Sequence, residues 1–261
     1  MGKRLKGYAV LVTRPKDQAA GLCAAIAAEG GSPILAPMIA IRAISDPKRS
    51  GAAIDRIEDY GSAIFVSRNA VEFGIEQIRK HDKALAGQTI YAVGVGTAAC
   101  LREQGVTDVA TPHHEFTSEG LLKLDGLQAH EVRGAKILIF RGGGGREHLA
   151  QTLGNRGATV DYCEVYERFV PDICVADTLS EADISVPDIG VITSLDSLTN
   201  FVDKIDEEGL DLLFDMPLLV VGSRIANEVE KLGFTNAPII VDNPNDDNVV
   251  DTLARWVMDE I

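Results

Sequence analysis

The residues best placed to do chemistry lie in six short stretches where a glycine or hydroxyl residue meets the start of a helical pattern. These are Thr13-Arg14-Pro15-Lys16, Ser67-Arg68-Asn69, Gly94-Val95-Gly96-Thr97, the run Arg141-Gly142-Gly143-Gly144-Gly145-Arg146, Thr193-Ser194-Leu195-Asp196-Ser197, and Gly222-Ser223-Arg224. The first turn of a helix carries unpaired N–H groups and the positive end of the helix dipole, so such places attract anions. Ser or Thr there also serves as an N-cap worth about 1 kcal/mol, and any one of these turns alone reads as a cap. Six of them, at matching positions in two halves of one chain, read as sites for a ligand with several negative groups.

Other chemistries fit less well. Gly94-Val95-Gly96-Thr97-Ala98-Ala99 has the spacing of a dinucleotide fingerprint. It does not open the first strand–helix unit, however, and no clear acidic residue closes a following strand about 20 positions on. The glycines at 142–145 lack the Gly-Lys-Ser/Thr ending of a nucleotide-binding loop. His113-His114-Glu115 reads as a solvated loop, because adjacent histidines in extended chain point apart and no second His or Cys group completes a metal site. Neither a metal nor a nucleotide cofactor is expected. Cys23, Cys100, Cys163 and Cys174 show no paired spacing and read as buried free thiols.

The elements that must position these turns are short apolar strands alternating with helices. Strands are expected at 9–12, 33–41, 63–66, 89–93, 136–140, 159–169, 190–193, 217–221 and 238–242. Ala19, Leu22, Cys23 and Ile26 recur at helical spacing on one face, and Gly30-Gly31 ends that helix. Strands this apolar, separated by helices, predict α/β parallel sheets covered on both faces, with strand C-terminal ends and helix starts gathered at one edge.

These segments also occur twice. GYAVLVTRP at 7–15 returns as GAKILIFRG at 134–142, AIFVSRNAV at 63–71 as VITSLDSLT at 191–199, and YAVGVGTAACLREQG at 91–105 as LVVGSRIANEVEKLG at 219–233. Arg14 to Arg141 and Ser67 to Ser194 are each 127 positions apart, and Gly94 to Gly222 is 128, which points to a duplicated unit. The two segments PILAPMIAIRAI and TVDYCEVYERFV are about twice the usual strand length and hold equivalent places, each before a polar, proline-containing stretch, Asp46-Pro47 and Pro171-Asp172. Two divisions are open at this point. The copies could fold consecutively as 1–130 and 131–261, or both long strands could cross, combining 1–37 with 169–261 and leaving 42–163 as the second domain.

At 261 residues and 46% hydrophobic content, two cores can be buried. The formal charge is −14, with 15 basic against 14 acidic side chains in residues 1–130 and 10 against 25 in residues 131–261. Such a balance argues against nucleic acid as a partner. It also means that an anionic ligand must be held by locally aimed donors rather than by the overall field. No apolar run reaches the roughly 20 residues of a membrane span, and no signal-peptide pattern precedes the first strand. A cytoplasmic location without membrane association is therefore expected.

Taken together, VLVTRP, FVSRNAV at 65–71, AVGVGTA at 92–98, TSEGLL at 117–122, ILIFRGGGGREHLAQTLGNRGATVDYCEVYER at 137–168, ITSLDSLTNF at 192–201 and VVGSRIANEVEKLGF at 220–234 resemble the motifs of uroporphyrinogen-III synthases, in that family's order. The likeness covers essentially the whole chain; at Gly222-Ser223-Arg224-Ile225 some members place threonines instead. It implies two similar flavodoxin-like parallel-sheet domains joined by a two-stranded β-ribbon, 38–41 with 164–168, and so selects the crossing division. It also implies a cofactor-independent monomer of heme and tetrapyrrole biosynthesis. The substrate would be hydroxymethylbilane, a linear tetrapyrrole with eight carboxylates. In the cleft between the domains it would be closed to uroporphyrinogen III with inversion of the last ring and loss of water.

The family-like arrangement turns Tyr166 toward the cleft, and a phenol, ordinarily of pKa about 10, is protonated at neutral pH as a proton donor must be. The carboxylate contacts implied are Ser67, Thr97, Ser194 and Ser197 with neighbouring amides, together with Arg14, Arg141 and Arg224. The rival reading is a non-catalytic bilobal binding protein for a small anion.

Overall fold

A computed structural model describes residues 3–44, 48–145 and 147–259. Asp46, Pro47 and Arg146, singled out above, lie outside the described residues. The strands are β1 (Ala9–Val12), β2 (Ser32–Leu35), β3 (Ala40–Ala43), β4 (Ser62–Phe65), β5 (Thr89–Ala92), β6 (Val109–Ala110), β7 (Lys136–Gly142), β8 (Thr159–Phe169), β9 (Ile189–Ile192), β10 (Leu218–Val221) and β11 (Ile239–Val241). They form two sheets, a five-stranded one in the order β11-β10-β9-β1-β2 and a six-stranded one in the order β3-β8-β7-β4-β5-β6. Pairing is parallel from β2 through β11 in the first and from β8 through β6 in the second.

Helices join these strands, so both faces of each sheet are covered. In the five-stranded sheet, Leu11 and Val220 join one core with Phe201 and Ile205 of the helix Leu195–Glu208. Val10, Val12 and Leu219 face the other core, with Leu22 and Ile26 of the helix Lys16–Ala28. The six-stranded sheet alternates in the same way: Phe65 and Phe140 enter one core, stacked with ring centroids 4.5 Å apart, while Ile64 and Ile139 enter the other. A period-2 pattern with both faces buried is what the apolar runs predict.

By contacts the chain divides into two compact units, Met1–Ala40 with Phe169–Ile261, and Ile41–Arg168. Segment 33–41, expected as one long strand, is two short ones. β2 ends at Leu35, and β3 begins at Ala40 in the other sheet. Pro37 lies in the break, and proline has no N–H to give to a ladder. The amides on either side still bond beside β1, Ala36 N–H to Val12 O at 3.0 Å and Met38 N–H to Thr13 O at 3.0 Å. β8 does run unbroken for 11 residues.

Of the cysteines, Cys100 and Cys163 are buried, Cys23 is half-buried, and Cys174 is exposed, contrary to the expectation of burial for all four. Cys174 caps the helix Val175–Glu181, where its sulfur accepts from Asp177 N–H. Burial pushes the Cys163 thiol up to about 12. His113, His114 and Glu115 lie in an exposed loop. Among the described residues no helix is long and apolar enough to cross a membrane.

Candidate functional site

Parallel strands bring the turns of each unit to one edge of its sheet. In the six-stranded unit, β4 leads into Ser67, whose Oγ caps the helix Arg68–Lys80 by accepting from Ala70 N–H at 3.1 Å. β5 leads into Gly94, the cap of the helix Val95–Glu103, within which Thr97 is buried. β7 leads into the glycine run, where Gly144 and Gly145 have φ of 71° and 104°, conformations that side-chain-bearing residues rarely adopt.

The register of β7 against β8 holds the main structural detail of this edge. Arg141 pairs with Glu164, but Gly142 pairs with Tyr166, so Val165 is an extra residue. Such a bulge breaks the alternation of side chains and re-aims those beyond it. Cys163, Val165 and Tyr166 consequently lie in one buried cluster, although strict alternation would separate neighbours 165 and 166. Tyr166 is 3% exposed, stacks on Phe73 at 5.9 Å, and lies with its Oη 3.2 Å from Ser67 Oγ. Gly142 lies against its ring: a Cβ there would be 2.6 Å from Tyr166 Cε2. Gly143 N–H donates to Tyr166 O at 2.8 Å and ties the glycine run to the strand.

A cavity of about 280 Å3 opens at this place. Val66, Ile139 and Leu149 form its apolar wall, and Arg141, Tyr162, Tyr166 and Arg168 its polar one, with Gly142–Gly145 along the rim and Ser118 nearby. Arg141 is buried, donates from Nε to Gly142 O at 3.1 Å, and lies 4.5 Å over the Tyr162 ring. Its Nη1 reaches Glu147 Oε1 at 3.2 Å, while Tyr162 Oη donates to Glu147 Oε2 at 2.7 Å. Burial, then the bond to Glu147, pushes the Tyr162 phenol up to about 12, so it stays a proton donor at any physiological pH.

In the five-stranded unit, Ser194 caps the helix Leu195–Glu208 by accepting from Ser197 N–H at 3.1 Å, and the two hydroxyls are 2.8 Å apart. Arg14 is turned inward onto Asp246 and the Pro244 carbonyl, so its charge already has partners within the unit. Arg224 is exposed in the first turn of the helix Gly222–Val229.

The geometry thus gathers Ser67, Tyr166 and Arg141 at one edge and pairs Ser194 with Ser197. Thr97 does not line the cavity; within the five-stranded unit Arg14 is paired with Asp246, and Arg224 is exposed. Tyr162 and Glu147 join the site without having been singled out by sequence. Neither carries a local signal: the bulge at Val165 breaks the alternation that would relate Tyr162 to Tyr166, and Glu147 lies outside the strands.

A family model described as uroporphyrinogen-III synthase HemD matches residues 21–250. The uroporphyrinogen-III synthase of Salmonella typhimurium is 27% identical over 246 residues, covering 94% of this chain and 99% of that protein. That of Proteus mirabilis is 32% identical over 165 residues, 62% of this chain and 81% of that protein. Among solved structures, a mutant uroporphyrinogen III synthase from the extremely thermophilic bacterium Thermus thermophilus matches with a TM-score of 0.62 at 15% identity, covering 98% of this chain and 100% of that one. The enzyme from Helicobacter pylori gives 0.61 at 14%, covering 95% and 99%. At these identities the structures speak for the α/β fold, and the match over 21–250 speaks for descent: this chain belongs to the uroporphyrinogen-III synthase family.

Proposed function

We propose that this chain closes hydroxymethylbilane to uroporphyrinogen III, using the cavity beside Arg141 to hold a carboxylate and Tyr166 to supply a proton. Family membership makes the chain an enzyme of porphyrin biosynthesis, a cyclising lyase. The observation that carries the finer reading is the meeting of a buried guanidinium, a run of glycines and a phenol at the ligand-binding edge of a parallel sheet. A simple anion-binding protein needs the first two of these; the phenol adds a group that can also give up a proton.

In the proposed reaction the hydroxyl of the first ring departs as water, with a proton from Tyr166 Oη. The ring nitrogen's electron pair fills the gap, and loss of that ring's N–H proton leaves an azafulvene and restores the donor. The substituted position of the last ring attacks the electrophilic carbon and gives a spiro intermediate, and breakage and re-closure invert the ring. The pyrroles supply the electrons, so the protein's main work is to hold a flexible chain in the reactive fold. Ser67, 3.2 Å from Tyr166 Oη, orients the phenol. Thr97, Ser194, Ser197 and, at the exposed surface, Arg224 are offered as further carboxylate contacts. Arg14 contributes by tying Pro244 to the start of the helix Asp246–Asp259 through its bonds to both. We read 38–41 and 164–168 as the ribbon between the domains, supported by unit boundaries after Ala40 and Arg168, and the protein as a cytoplasmic monomer.

A stopped assay tests this reading: hydroxymethylbilane is incubated with the protein and oxidised, and the I and III isomers are separated. The III isomer is expected, and only the spontaneous I isomer would sink the enzyme reading. Tyr166→Phe is expected to lower kcat about 10²-fold, the usual contribution of a positioned acid. Unchanged turnover in that variant would remove Tyr166 from the mechanism.

A further inference from the structure

The contacts around Arg141 are unequal. Its Nη1 lies 3.2 Å from Glu147 Oε1, longer than the roughly 2.7–2.9 Å of a strong N–H to carboxylate bond. Glu147 Oε2, in contrast, accepts from Tyr162 Oη at 2.7 Å. The carboxylate is therefore held firmly by the phenol and loosely by the guanidinium. Glu147 is 53% exposed and Arg141 only 7%, so water screens the pair at its acidic end and little holds it together. The guanidinium itself stays in place through its bond to Gly142 O and its stacking on Tyr162.

We propose that Glu147 is a built-in competitor for the ligand's carboxylate: an incoming carboxylate takes Arg141, and Glu147 releases the guanidinium while remaining bonded to Tyr162. The proposal rests on the reading above that the ligand is a polycarboxylate. Before exchange, Glu147 neutralises Arg141, and that guanidinium offers no net positive charge to a single weak anion. After exchange, Glu147 stays on Tyr162 close to the carboxylate that has taken Arg141, and the repulsion between the two acids weakens the hold on substrate and product alike. A ligand anchored through several carboxylates can tolerate that loss, whereas one with a single acid group gains nothing from entering. Glu147 would thus select for polycarboxylates and speed their release.

Glu147→Gln removes the charge and keeps both the shape and an oxygen for Tyr162 to bond. The probe is uroporphyrin, the oxidised and still octa-acidic form of the proposed product, titrated by its fluorescence. Glu147→Gln is expected to bind it about three- to fivefold more tightly, the upper part of the range that loss of one screened repulsion allows. KM for hydroxymethylbilane should fall by a similar factor while kcat does not rise with it, as expected when ground state and transition state are affected equally. Arg141→Gln should weaken uroporphyrin binding, and adding Glu147→Gln to it should change affinity less than about twofold, since the coupling requires both partners. An unchanged or weakened affinity in Glu147→Gln, the same gain without Arg141, or no uroporphyrin binding by any form would each overturn the proposal. The two readings fail separately: a wild-type protein yielding only the I isomer fails as an enzyme, while the order of uroporphyrin affinities still decides the exchange.

Discussion

Gly142 shows how much a missing side chain can matter. Any Cβ there would meet the Tyr166 ring at 2.6 and 2.7 Å, closer than such contacts permit. A single methyl group must therefore push the phenol away from Ser67 or distort the strand end that carries Arg141. Overpacking of this kind costs about 1–3 kcal/mol of stability. Gly142→Ala is accordingly expected to lower the unfolding midpoint modestly and kcat by about as much as loss of the donor itself, roughly 10²-fold. The isomer assay and a thermal melt measure the two effects side by side. Full turnover in a destabilised Gly142→Ala protein would mean that the ring's position is structural only. The sequence shows Gly142 and Tyr166 as separate motif residues, 24 positions apart. Only the bulge at Val165 places one against the other, and a bulge leaves no mark in hydrophobic periodicity.

At the scale of elements, Ser67 and Ser194 hold the same place in the two units, each as the cap of a long helix that follows a central strand. Their surroundings differ: Ser67 faces Tyr166 at 3.2 Å, and Ser194 faces Ser197 at 2.8 Å. If capping were their whole role, replacement by alanine would cost each about 1 kcal/mol and leave turnover alone. We expect that stability loss from both, read by urea unfolding, and an added fall in kcat only for Ser67→Ala, because it alone loses a partner of the phenol. Equal activities in the two variants would return Ser67 to the role of cap. These caps were legible in the sequence because Ser at the end of an apolar run and before a helical pattern has few other uses. Most strands were legible too, since four apolar residues in a row between helices fit a parallel strand buried on both faces. The break between β2 and β3 was not, because Ala36, Met38 and Ile39 are as apolar and buried as a strand interior. Likewise, Glu147 meets Tyr162 only through the pairing of β7 with β8, which separates them by 15 positions in the chain.

Across the whole molecule, the repeat and the sheet orders together show what was duplicated. β1 and β7 belong to one pair of repeated segments, β4 and β9 to another, β5 and β10 to the third. The sheets run β10-β9-β1-β2 and β5-β4-β7-β8, so corresponding strands occupy corresponding places, each sheet drawing on both halves of the chain. The offset was readable from the sequence; the exchange depends on strand order, which local patterns do not encode. A second whole-molecule property sets the terms on which an anion arrives. The chain carries a formal charge of −14, and the proposed substrate carries eight carboxylates, so their long-range interaction is repulsive. On the proposed reading, attraction comes at close range, from donors such as Arg141 and the turn amides. Salt screens the long-range part first, because the Debye length shrinks from about 30 Å at 0.01 M to about 8 Å at 0.15 M. Close contacts inside a small cavity are screened much less. At substrate concentrations well below KM, kcat/KM should therefore rise as NaCl is raised from about 10 to about 150 mM, opposite to the fall seen when a charged protein steers an oppositely charged ligand. A steady fall over that range would show that a local positive field governs the encounter, and would move the weight of recognition from individually aimed donors to the arginines as a group.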